Sequence, residues 1–199
     1  MGNRSGAAAA EGLCLACGLC CNGVIFADVR LQPGDDAERL RSLGFPLEPL
    51  GPRQGAEAGR SSHALRFCQP CAALEGCRCR SYAERPRHCR DFECVLLKSV
   101  RAGRTSRNAA LGIIRAARGR AAEVRRLLRQ LGDTDEQLPL SSRFRQTARR
   151  VEQQGLDEDA AELFGRLTLA VHDLNLLLGD AFYPGRATDK PFAETGATR

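Results

Sequence analysis

A mainly α protein is predicted, with an irregular, cysteine-rich, metal-bound N-terminal half and a helical C-terminal half. Three observations carry this. All ten cysteines of the 199-residue chain fall between Cys14 and Cys94. Most of the prolines share that stretch, so few long periodic runs fit within it. From Glu93 onward the apolar residues recur at three- and four-residue steps, the spacing of one helix face. The chain has no Trp and two Tyr, so its core volume comes mainly from Leu, Ala, Val and Ile.

The elements follow in order. "RLQPGDDAERLRSLGF" contains one helix: Pro33-Gly34 turns the chain, Asp35 or Asp36 caps, and Ala37, Leu40 and Leu43 form a stripe that stops at Gly44. "PLEPLGPRQGAEAGRSSH" reads as loop and "HALRFC" as a short strand. "ECVLLKSVRAG" is a short helix ended by Gly103. In "TSRNAALGIIRAARGRAAEVRRLLRQLG", Thr105 or Ser106 caps a long helix and Gly132 lies past its end. Ile113, Ala117, Ala121, Val124, Leu128 and Leu131 are its expected inward stripe. Gly112 and Gly119 each cost about 1 kcal/mol in a helix, and a closely approaching neighbour is the expected reason for them. A third helix runs from Ser141 or Ser142 to Gly155. A fourth places Leu163, Leu167, Val171, Leu174 and Leu178 inward. The organisation is thus a cysteine-cluster metal-binding region over 13–97 and a helical region over 98–180, with disordered tails at 1–12 and 183–199.

No secretory signal, myristoylation pattern or membrane-spanning run is read in the chain. A cytoplasmic protein is expected, in a compartment where thiols stay reduced and clustered cysteines bind metal more often than they pair. The net charge is +6, and ten basic residues lie between Lys98 and Arg129 with Glu123 the one acid among them.

The cysteines form two groups. Cys14, Cys17, Cys20 and Cys21 read C-x-x-C-x-x-C-C, and a C-x-x-C pair brings two thiolates to one metal across a tight turn. Gly18 lets that backbone fold close to the ion. Adjacent Cys20 and Cys21 diverge, which suggests two ions, a polynuclear cluster, or one ligand beside one packing thiol. The second group holds Cys68, Cys71, Cys77, Cys79, Cys89 and Cys94. A metal shared between the groups would close the intervening loop and contribute directly to folding.

These residues resemble a known family. C-x-x-C-x-x-C-C, followed downstream by C-x-x-Tyr-x-x-Arg-Pro-x-x-Cys-Arg-x-Phe, is similar to the YkgJ-like cysteine-cluster family, described as zinc- or iron-chelating domains. Cys79, Tyr82, Arg85, Pro86, Cys89, Arg90 and Phe92 carry the second motif, Cys71 matches a further cysteine, and Cys94 resembles a variant ending. The resemblance implies Cys14, Cys17, Cys20, Cys21, Cys71, Cys79, Cys89 and Cys94 as metal ligands. Cys68 and Cys77 are additional to it.

Zinc wants four ligands in a tetrahedron and an iron–sulfur cluster takes four thiolates, so eight ligands serve two sites of either kind. The adjacent pair, and a similarity to the cysteine-rich region of iron–sulfur flagellin lysine methylases, favour an iron–sulfur cluster over zinc, with a redox or group-transfer role. Arg85 and Arg90 either serve the metal site or brace the Pro86 turn. His88 is expected to face solvent, and His63 and His172 to be structural. Glu75, Glu84, Asp91 and Glu93 read as surface carboxylates. No dinucleotide fingerprint, P-loop or H-E-x-x-H is present, and no catalytic residue is assigned. The alternative is a non-catalytic zinc module. It would engage nucleic acid or an acidic protein through Arg115, Arg118, Arg126 and Arg129, which lie along one side of the long helix.

Overall fold

The computed structural model describes residues 10, 12–50, 64–155 and 157–183. The expectations for tails 1–9 and 184–199, for His63 and for loop residues 51–63 lie outside these. The protein is mainly α. Its described residues fall into two compact units. A helical unit draws on Met1–Cys17, Glu93–Glu136 and Leu140–Arg199, and a cysteine unit on Gly18–Phe92 and Gln137–Pro139. The boundaries run after Cys17 and after Phe92, so Cys14, Cys17 and Cys94 belong to the helical unit.

In that unit α1 is Leu13–Cys17, and Leu13 is buried. Four further helices are α4 (Val95–Arg101), α5 (Arg107–Gln130), α6 (Leu140–Gln154) and α7 (Glu158–Ala181). Three of these starts are chemically marked. Cys94 caps α4, the Ser106 hydroxyl accepts the Ala109 N–H at 3.2 Å, and the Asp157 carboxylate accepts the Ala160 N–H at 2.8 Å. Such caps satisfy amides that no helical carbonyl can reach. Gly103, Gly132 and Gly155 follow the ends with positive φ, where a side chain would clash.

The core of the unit is the seam along which α5 packs on α7. Ala110, Ile114, Ala117, Ala121, Val124, Leu127 and Leu128 bury one face of α5, and Leu167, Val171, Leu174 and Leu178 one face of α7. The α5 stripe is centred slightly differently from the sequence expectation. Ile114 and Leu127 are buried, while Ile113, Leu131 and, on α7, Leu163 are half-buried. Gly112 and Gly119 have no closely packed neighbour. A Cβ on Gly119 would meet nothing within 4 Å, and one on Gly112 only the end of Arg115 at 3.9 Å. They stand off the seam, so close helix approach is not their reason. Behind the seam, Arg143 of α6 donates from Nε to Asp133 at 2.7 Å, with both side chains buried.

The cysteine unit is built from short pieces. Strands β1 (Asp28–Arg30), β2 (Glu48–Pro49) and β3 (Leu65–Cys68) form an antiparallel sheet in the order β1-β3-β2. Val29 pairs with Phe67 across β1 and β3, and both point to the buried side. Helix α2 (Ala37–Ser42) contributes Leu40, and Asp36 caps it through the Arg39 N–H at 2.8 Å. A small hairpin joins β4 (Leu74–Glu75) to β5 (Arg78–Cys79), and α3 (Arg87–Asp91) follows. Val29, Leu40, Phe45, Phe67 and Ala73 form one small apolar cluster, with the Phe45 and Phe67 rings edge to face at 5.0 Å, and Leu19, Val24 and Ile25 are buried as well.

Candidate metal centre

The cysteine unit places thiols where a larger protein would place more leucines. Cys71, Cys79 and Cys89 are partly buried and pack against the five-residue cluster. Cys71 leaves the end of the sheet, Cys79 ends β5 and Cys89 sits in α3. Burial pushes the Cys89 thiol up to about 12, and Cys71 and Cys79 add to the shift because charges there would repel its own. Cys71 is raised as well, first by burial and also by Cys79. Three cysteines, eight and ten positions apart along the chain, therefore share one neighbourhood against the core. Thiols raised by burial, as at Cys71 and Cys89, are neutral without a cation and ionise readily beside one.

The first motif enters the unit at Gly18. Its carbonyl accepts the Cys21 N–H at 3.0 Å and the Asn22 N–H at 3.1 Å, which makes the turn carrying Cys20 and Cys21. The Cys21 carbonyl then accepts the Cys71 N–H at 2.8 Å, so backbone hydrogen bonding ties the two motif halves together. Gly18 has φ +68°, and a Cβ there would stand 3.2 Å from the Cys77 Cα. The glycine thus serves an approach to the backbone of Cys77.

In the helical unit, Cys14 is exposed and Cys17 half-buried on α1. The Cys94 sulfur accepts the Leu97 N–H at 3.4 Å at the start of α4. Its thiol is raised by burial and, further, by Cys14. Cys68 differs from all of these. It lies on the outer side of the sheet and donates its S–H to Glu48 at 3.1 Å, beside an Arg66 that bridges Asp28 and Glu48. Burial and then the Glu48 contact raise its pKa. Its proton is held by a carboxylate, whereas no such bond engages Cys71, three residues on.

The donor chemistry suits a thiophilic ion. Among the described residues, however, no group of three or more His, Cys, Asp or Glu side chains is arranged to hold a metal as it stands. The thiols are near one another without forming a finished ligand set.

The polar residues around them are largely engaged in structure. Arg85 lies over the Tyr82 ring at 3.5 Å and donates to the Tyr82 carbonyl at 2.8 Å. Arg90 donates to the Arg85 carbonyl at 2.8 Å. Both brace the turn before α3. His88 is not solvent-facing. Its ring meets Phe26 edge to face at 5.1 Å and stacks on Phe92 at 6.5 Å, and its buried Nε2 has no hydrogen bond. His172 is exposed. Glu84 pairs with Arg39, Asp91 with Arg87 and Glu93 with Arg101, as surface carboxylates do.

On α5, two of the four singled-out arginines are neutralised. Arg126 grips Glu123 through two nitrogens, at 2.8 and 2.5 Å, and Arg129 meets Glu136 at 2.9 Å. Arg118 donates to the Ala16 carbonyl at 3.3 Å, and Arg115 is exposed. The face is less positive than its sequence suggests, because Glu123 sits three residues before Arg126 and Glu136 follows the helix end.

One residue near the thiols escaped the sequence reading. Asp35 is read there as one of two caps for the helix at 37, yet its carboxylate reaches α3. Only its place beside Pro33-Gly34 marked it. Against protein-family models, curated proteins and solved structures, the chain gives no match.

Proposed function

We propose that this chain is a metal-binding protein of a reducing, cytoplasmic compartment that holds an iron–sulfur cluster or zinc through its cysteines. The supporting observation is the gathering of Cys71, Cys79 and Cys89 on one small core, with Cys89 pushed up to about 12 by burial and by the other two. The similarity of its two motifs to the YkgJ-like cysteine-cluster family points the same way. Ligands in the cysteine unit would be Cys20, Cys21, Cys71, Cys79 and Cys89, and in the helical unit Cys14, Cys17 and Cys94. When bound, an iron–sulfur cluster supplies one-electron chemistry and zinc supplies a structural cross-link.

This chain's own part is to deliver thiols that lose their protons on binding, and to exclude water around them with Val29, Phe67 and Ala73. Arg85 and Arg90 hold the turn that presents Cys89. Ligand capture would then be coupled to the folding of this small unit.

The test is metal and sulfide analysis of protein purified without oxygen, followed by cobalt(II) titration of the apo form. A sulfur-to-cobalt charge-transfer band or stoichiometric iron and sulfide is expected. Serine at Cys71, Cys79 or Cys89 should remove it, and serine at Cys68 should leave it intact. Absence of bound metal and of any cobalt band would sink the reading. Glu123 and Glu136 already pair with Arg126 and Arg129, which weighs against docking through the basic helix.

A further inference from the structure

Helix α3 carries Cys89 and begins at Pro86, which provides no side-chain cap. Its first amide is nevertheless satisfied. The Asp35 Oδ1 accepts the Arg87 N–H at 2.7 Å, across 52 residues of sequence. The other oxygen, Oδ2, accepts the Gln32 N–H at 2.7 Å, and the Asp35 N–H returns to the Gln32 carbonyl at 3.0 Å. The side chain is 2% exposed, and the Arg90 guanidinium stands 4.0 Å away. A second bridge lies alongside, where Arg39 meets Glu84 at 3.0 Å. Neighbouring aspartates have thus divided their work: Asp36 caps its own helix, and Asp35 caps the helix bearing the thiol.

We infer that Asp35 is the positioning residue for Cys89, holding α3 by a carboxylate cap supplied from the Gln32–Asp35 turn. A carboxylate that accepts two backbone amides cannot turn away without giving up both of these hydrogen bonds. An aspartate oxygen at a helix start also suits the positive end of the helix. The seat of Cys89 against the core depends on this one side chain more than on the intrinsic stability of a five-residue helix, which would not form alone. The inference rests on the metal reading only where Cys89 is called a ligand.

The full-length chain decides it. Amide hydrogen exchange and iodoacetamide labelling of Cys89, normalised to Cys68, are compared in the wild type, Asp35→Ala, Asp35→Asn and Asp36→Ala. In Asp35→Ala, exchange at Arg87 and labelling of Cys89 should both rise about fivefold, the size expected for a lost side-chain cap. Asp36→Ala should speed exchange at Arg39 and leave Cys89 unchanged. Equal effects of the two alanines on Cys89, or none from Asp35→Ala, overturn the inference.

If Asp35→Ala loses the fold of β1–β3 as well, Asp35→Asn carries the decision. With one acceptor oxygen left, it should protect one of the Arg87 and Gln32 amides and expose the other. Wild-type protection of both overturns the inference. Cobalt(II) titration of the same variants separates the two readings. Tight binding by the wild type with about tenfold weaker binding by Asp35→Ala supports a role in metal capture, and equal binding refutes it. No binding by any variant refutes the metal reading and leaves the exchange result to stand on its own.

Discussion

The two units solve the same problem with different materials. The helical unit buries long stripes of Leu, Ala, Val and Ile on α5 and α7, and each helix starts on a side chain that satisfies its first amides. The cysteine unit buries fewer apolar residues, Leu19, Val24 and Ile25 besides the cluster around Phe67, and packs Cys71, Cys79 and Cys89 against that cluster. Its strands are two to four residues long, too short to be stable through backbone pairing alone. Where apolar burial is plentiful a fold stands on its own, and where it is scarce something else must hold the chain. The contrast teaches that Cys71, Cys79 and Cys89 share the structural place of a core.

The sharpest way to break the comparison is to remove metal. Structural zinc sites in small domains carry on the order of 10 kcal/mol of apparent folding energy at neutral pH. Chelation should therefore raise proteolysis and amide exchange over Gly18–Phe92, while α5 and α7 keep their protection. Equal loosening of both units, or of neither, would show that the cysteine unit does not depend on the ion.

Next in size is a lesion confined to the helical unit. Asp133→Ala would leave Arg143 buried without its partner, and its Nη2 already lacks a hydrogen bond. Arg125 worsens the position. Burial, then the charge of Arg143, lowers its pKa, a sign that the two cations repel. Breaking a buried pair from one side costs about 3–5 kcal/mol. Thermal unfolding should shift markedly while bound metal per cysteine unit is unchanged, and a parallel loss of metal would contradict the separation.

A smaller effect is expected at the turn of the first motif. Gly18→Ala puts a side chain into a left-handed conformation, which costs about 1–2 kcal/mol, and brings its Cβ to 3.2 Å from the Cys77 Cα. Metal affinity should fall several-fold with the helices intact, and a titration showing wild-type affinity would remove Gly18 from the site.

The most gradual effect is on pH. The Cys89 thiol rises from an ordinary 9.0 to about 12 in the folded protein. The folded state thus prefers the protonated form. Its contribution to stability is complete below pH 9 and is lost as pH climbs through the folded value near 12. Metal-free protein should melt at progressively lower temperature above pH 9, with Cys89→Ser showing less of that decline. Bound metal reverses the sense, since binding expels protons and tightens as pH rises.

The helices were legible because their signals are local. Ser106, Gly103 and Gly132 mark ends by chemistry that acts within a few residues, and the α5 stripe was shifted so that Ala110, Ile114 and Leu127 are buried where Ile113 and Leu131 were expected. Of the short strands, β3 was legible in "HALRFC", while the others were not, because two or three residues give no period to detect. Within the candidate site, C-x-x-C spacing alone treats Cys68 and Cys71 alike, and only the family resemblance set Cys68 apart, without a physical reason. What separates them is Glu48, twenty residues from Cys68, and no pattern in the intervening chain announces that contact. The cap from Asp35 to Arg87 was hidden for the same reason. Charge pairing on α5 was partly visible, since Glu123 and Arg126 sit at helical spacing.

Cys94 bears on how such a chain can be redesigned. A sulfur makes a poor cap, and serine is among the residues most favoured at a helix start. Cys94→Ser should therefore strengthen α4 by several tenths of a kcal/mol to about 1 kcal/mol while deleting a thiol beside Cys14. Most substitutions of a suspected functional residue confuse loss of the group with damage to its support. This one separates them in opposite directions, so a protein that becomes sturdier and yet performs worse would identify the sulfur itself as what selection retained.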